Sequence, residues 1–187
     1  IAIVAETILG EGGIHPLSAP FLTFIRRLAT QRDALWIADE TQCGLGRTGE
    51  RFAYQHHPEA GLPDVVVTAK PLGGGLPLGA TIFNAAAGAA ISQGLHGTTF
   101  GGTPLVCVGA NEVLTVIEEE GMLANARTLG ARARHRLEEH PDYESLMVLE
   151  SADRRGHVRS GDAPTLEEAI ATLRELEADD DGAGDGA

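Results

Sequence analysis

The sequence contains one lysine, Lys70, among 14 basic residues, and every other one is an arginine. Lys70 closes an apolar, β-branched run at residues 64–69 (DVVVTA) and is followed by Pro71 and by Gly73, Gly74 and Gly75. A primary amine at the end of a buried strand is a nucleophile toward aldehydes, because burial disfavours its ammonium form. Asp39 closes a second apolar run, 34–38 (ALWIA), just before a glycine-rich turn. A carboxylate in that place can hold the protonated ring nitrogen of a cofactor. Thr98-Thr99-Phe100-Gly101-Gly102 precedes a helix start and offers hydroxyls and unencumbered N–H groups to a phosphate. Each feature also has a plainer reading: a solvated strand-end lysine, a carboxylate capping a turn, and an ordinary Thr/Gly turn.

These residues need a scaffold, and the apolar pattern supplies one. Runs at 1–5, 34–38, 64–69 and 79–83 read as strands, and the first three end at Glu6, Asp39 and Lys70. A helix opens at Ser18-Ala19-Pro20, with Phe21, Phe24, Ile25 and Leu28 at helical spacing. Apolar runs separated by a helix imply an α/β fold, a mostly parallel sheet with flanking helices. In such sheets ligands gather beyond the carboxyl ends of the strands. After a loop at 94–103, Pro104, Val106, Ala110, Val113, Leu114 and Ile117 predict a helix over 104–120, broken at Gly121. A second helix is expected over 123–140, with Leu129 and Leu137 facing inward. Residues 141–163 have no strong period, 164–177 form an amphipathic helix, and 178–187 (DDDGAGDGA at the end) are expected to be disordered. Residues 44–49 satisfy G-x-G-x-x-G, but no strand–loop–helix unit surrounds them, so they are not read as a dinucleotide fingerprint.

Charge is uneven along the chain. Residues 1–137 hold 12 Asp/Glu against 10 Lys/Arg, whereas 138–187 hold 15 against 4, out of a net −13. An acidic end argues against nucleic acid and anionic membranes as partners. Cys43 and Cys107 make neither a disulfide framework nor a zinc site, and a reduced, cytoplasmic setting is expected. The 7 histidines lack metal-ligand spacing, so no metal is expected. There is no signal-like segment and no apolar run of membrane-spanning length. The chain opens at Ile1, directly in an apolar run, and reads as a piece of a longer protein.

Four segments together resemble one family. AETILGEGG (5–13) resembles "VEPIQGEGG", and LWIADETQCGLGRTG (35–49) resembles "LLIFDEVQTGFGRTG". PDVVVTAKPLGGGLPLGA (63–80) resembles "PDIVTLAKGLGGGYPIGA", and HGTTFGGTPLVC (96–107) resembles "HGSTFGGNPLAC". These are motifs of the class-III pyridoxal-phosphate-dependent aminotransferases, with the acetylornithine branch nearest. The resemblance covers residues 1–140, which it implies to be part of a fold-type-I large domain, with 141–187 a divergent acidic segment.

The resemblance implies pyridoxal 5'-phosphate as cofactor, with Lys70 as the catalytic lysine that holds it and moves the substrate proton. It places Asp39, Glu40, Thr41, Gln42, Lys70 and Thr99 around the cofactor, with Asp39 on the ring nitrogen and Gln42 near the 3′ oxygen. Thr99 is implied on the phosphate of the other subunit's site. Glu11 and Thr98 are implied on the substrate side, and Glu6 at the strand end nearby. The implied reaction moves an amino group from an N-acetylornithine-like ω-amine to 2-oxoglutarate, in arginine biosynthesis, by a homodimer. The alternative is a non-catalytic remnant of such an enzyme. The family's N-terminal half, with its phosphate loop, and its small domain, with the arginine that grips the substrate carboxylate, have no counterpart here. Thr103 stands where the family usually has Asn.

Overall fold

In the computed structural model, residues 1–143 are described. The four expected strands form one sheet: β1 (Ala2–Glu6), β4 (Leu35–Asp39), β5 (Val65–Thr68) and β6 (Ala80–Phe83), in the order β1-β4-β5-β6. β1–β4 and β4–β5 are parallel and β5–β6 is antiparallel, so the mostly parallel reading holds. The reversal into β6 runs through a 3-10 turn at Lys70–Gly73 and then Gly74 and Gly75, with φ of 59° and 100°. Glycine adopts those angles without a Cβ penalty. A small hairpin, β2 (Ile8–Leu9) with β3 (His15–Pro16), interrupts the path from β1 to the first helix. It is too short to have left a period in the sequence.

Helix α1 (Ala19–Gln31) begins with Pro in its first turn, as expected. Its buried stripe is Leu22, Ile25 and Ala29, packed on Trp36 and Ala60, with Ile3, Ala5 and Leu17 at the margin. The register places Ile3, Trp36, Ala5 and Ala38 on the sheet face that α1 covers. The expected stripe is therefore rotated by about one residue. Phe21 and Phe24 remain 47% and 44% exposed, while Leu22, Ile25 and Ala29 take the buried positions. On the other face Val4, Ile37, Val65 and Phe83 form one row. Only Val65 in it is buried; Val4 and Phe83, at its ends, are exposed.

A short helix α2 (Ala85–Ala89), capped by the Asn84 side chain, follows β6. Helix α3 (Pro104–Glu119) matches its expected span and packs on the Lys70–Gly73 turn. Helix α4 (Met122–Glu138) forms as expected, but none of its residues is buried. Leu129 and Leu137 are exposed rather than inward-facing. The chain divides into two units between Gly130 and Ala131. The expectations for 164–177 and 178–187 fall outside the described residues.

Asp64 secures the amino ends of the strands. One oxygen of its carboxylate accepts the Trp36 N–H and an Arg26 guanidinium N–H, each at 2.8 Å. The other accepts Asn84 Nδ2 at 2.8 Å, so α1, β4, β5 and the cap of α2 meet at one side chain. Burial pushes its pKa up, but the Trp36 N–H, Arg26 and Asn84 outweigh that and hold it below the usual value. A lowered carboxylate pKa contributes stability that is present above the unfolded-state value and lost as pH falls through the folded one. Asp64→Asn should cost about 1–2 kcal/mol in urea unfolding at neutral pH. The gap from the parent chain should narrow below about pH 4.

Candidate active site

The carboxyl ends of β1, β4 and β5 bring Glu6, Asp39 and Lys70 to one end of the sheet. Glu6 and Asp39 are register partners, and Asp39 also pairs with Val67 near the end of β5. The Asp39 carboxylate accepts the Thr41 N–H at 3.0 Å, which closes the turn after β4. That turn projects Gln42 toward Lys70, whose Nζ donates to Gln42 Oε1 at 2.9 Å.

Lys70 has φ of 36°, a left-handed backbone that a residue with a Cβ adopts at a cost. Pro71 narrows the choices of the residue before it still further. The local sequence does not relieve this, so the strain is imposed by the sheet before it and the turn after it. Of the two readings of this lysine, at a buried strand end or solvated, the structure shows the second. Lys70 is exposed, because β5 ends at Thr68 and the following turn leaves its side chain on the rim.

Asp39 and Lys70 open onto different hollows. Asp39 lines one of about 700 Å³ with Glu6, Leu9, Phe21 and Phe24, among others. Lys70 lines a shallower one of about 300 Å³ with Gly75, Leu76, Pro77 and Leu78. Gln42 is the described link between them, through its turn on one side and its amide on the other.

Glu40 does not face this rim. It is wholly buried, and its carboxylate accepts Thr7 Oγ1, the Ala53 N–H, the Tyr54 N–H and the Cys43 thiol at 2.8–3.2 Å. No oxygen is left to meet a ligand, so its side chain ties β1, β4 and the 53–54 segment together instead. Sequence reasoning missed this tie and its donor Thr7. A Glu following a strand-end Asp carries no local sign that its donors lie elsewhere in the chain. Burial, and then the Glu40 charge, push the Cys43 thiol pKa up to about 12.

Glu11 is exposed at the tip of the β2–β3 hairpin. Thr98 and Thr99 are exposed in the loop before α3, where Thr98 Oγ1 accepts the Gly101 N–H at 3.3 Å. No described contact joins Glu11, Thr98 or Thr99 to Lys70. The glycines at 44–49 lie in turns, and a short 3-10 helix, Ala53–His56, follows them. A Cβ on Gly44 would lie 2.7 Å from the Glu40 carbonyl oxygen, and one on Gly49 would strike Arg127.

The donor set fits pyridoxal phosphate chemically. It has one side-chain amine, a carboxylate at a strand end, an amide beside the amine, and a Thr/Gly loop.

A family model described as Aminotransferase class-III matches residues 1–165. A succinylornithine transaminase from Yersinia pseudotuberculosis is 46% identical over 134 residues, 72% of this chain and 31% of that protein. Acetylornithine aminotransferase 1 from Bordetella parapertussis is 46% identical over 130 residues, 70% of this chain and 33% of its own length. The solved acetylornithine aminotransferase from Elizabethkingia anophelis superposes with a TM-score of 0.68 at 36% identity, covering 74% of this chain and 34% of that one. The chain thus spans about a third of the length of the curated relatives it matches.

Two outcomes test this geometry. At an unstrained exposed position alanine is more stable than glycine, so at position 70 the order should reverse. Lys70→Gly should exceed Lys70→Ala by about 1 kcal/mol in urea unfolding. In the folded chain at about pH 8, maleimide should label Cys107 and spare Cys43, with both labelled after denaturation.

Proposed function

The chain belongs to the class-III aminotransferases, and from that membership we propose that it forms part of the pyridoxal-phosphate-binding domain of a transaminase. The observation that carries the proposal is Lys70. The chain's only side-chain amine stands at a strand end, on strained backbone, with its Nζ against Gln42. When bound, pyridoxal 5'-phosphate supplies an aldehyde that takes up the amino group and a protonated ring that draws electrons from the reacting carbon.

The chain's residues supply the rest. Lys70 Nζ holds the cofactor and carries the proton to and from the substrate carbon. The Asp39 carboxylate keeps the proton on the ring nitrogen, with one oxygen steadied by the Thr41 N–H. Gln42 orients the amine and the ring's oxygen side. Thr99, with Thr98 beside it, supplies hydroxyl and backbone donors to a phosphate. Glu11 stands on the substrate side. Glu40 contributes by fixing the turn that carries Asp39 and Gln42.

The proposed substrates are an ω-amine of the acetylornithine, succinylornithine or ornithine type and 2-oxoglutarate as acceptor. A homodimer of the longer protein and a cytoplasmic setting belong to the same proposal. So does the division into a large-domain part at 1–140 and an acidic end.

A second reading is a non-catalytic remnant. It is favoured by the exposure of Lys70 and by the separate hollows of Lys70 and Asp39. Spectral titration of the full chain with pyridoxal phosphate decides between them. A saturable visible absorbance that Lys70→Ala abolishes supports the transaminase reading. Without any Lys70-dependent signal, the chain is a remnant.

A further inference from the structure

The Gln42 amide that meets Lys70 Nζ also lies against Gly10. A β-carbon built on Gly10 would lie 2.7 Å from Gln42 Cδ and 3.1 Å from its Nε2. Gly10 does not have the positive φ that would demand glycine for backbone reasons. Its place is nevertheless well held. Its N–H donates to Glu6 Oε2 at 3.0 Å, and its carbonyl accepts the N–H groups of Gly13 and Ile14 at 3.2 Å. Gly10 is thus a fixed floor under a flexible side chain, and the absent β-carbon leaves the space in which the amide sits.

We propose that Gly10 is a positioning residue: by lacking a side chain it seats the Gln42 amide that holds Lys70 Nζ. This rests on the reading of Lys70 as the cofactor-holding amine. The close atoms belong to the free end of Gln42, not to backbone, so an added methyl displaces the amide at little cost to the fold. The effect of the substitution therefore falls on the amine and spares stability.

Lys70 is the only side-chain amine of the chain, which makes it directly readable. Reductive methylation with formaldehyde, without any cofactor, is followed at Lys70 against an added free-amine standard by peptide mass spectrometry. Gly10→Ala and Gln42→Ala should each raise the relative rate at Lys70 about fivefold, the equivalent of one ordinary hydrogen bond. The double variant should match Gln42→Ala alone, and the urea midpoint of Gly10→Ala should match that of the parent chain. In parallel, the dissociation constant for pyridoxal phosphate should rise about fivefold in Gly10→Ala. The proposal is overturned by an unchanged labelling rate, by effects that multiply in the double variant, or by a urea midpoint that falls along with the labelling change. If the parent chain gives no Lys70-dependent absorbance, the transaminase reading fails, while the methylation rates still decide whether Gly10 seats Gln42.

Discussion

Glu40 is a carboxylate with no exposure to water, and such a group costs several kcal/mol unless donors surround it. Here two backbone N–H groups, a hydroxyl and a thiol do so. Breaking any of them leaves the rest of a buried charge short of partners, so the segments that supply them are tied to the end of β4. Thr7 brings the end of β1, while Ala53 and Tyr54 bring the segment beyond the glycine turns. Asp39 and Gln42 flank Glu40 in the chain. Their placement at the rim follows from its anchorage in the interior.

The sheet is therefore fastened at both ends by acidic residues with different tasks. At the amino ends, Asp64 gathers β4, α1 and the α2 cap through its carboxylate. At the carboxyl ends, Glu40 is consumed in holding, which leaves its neighbours Asp39 and Gln42 facing the rim. The backbone strain at Lys70 lies on this second, functional end. Strain persists only where the surroundings over-determine it, and it tends to mark sites of chemistry. The sheet, the following proline and the glycine reversal together supply that over-determination.

The four sheet strands and the three longer helices were legible in the sequence because each rests on local pattern. The strand runs ending at Glu6, Asp39 and Lys70 needed only apolar composition, and the helix at 104 needed only Pro104 and its periodic partners. Where a face had to be assigned, local pattern was weaker. Phe21 and Phe24 look like core residues by spacing, yet Leu22, Ile25 and Ala29 meet the sheet instead. Leu129 and Leu137 have the right type for burial but are exposed.

By itself the sequence determined that the chain is α/β, that its charges stand at strand ends, and that its one lysine lies beside a glycine reversal. Its four motifs also pointed to the family. These properties depend on residues within a few positions of one another. Only the tertiary structure decided that Glu40 is an interior tie, that Lys70 is exposed and left-handed, and that Gln42 sits between Lys70 and Gly10. Those outcomes depend on which distant segments meet across the strand ends, and burial and reach are properties of that meeting.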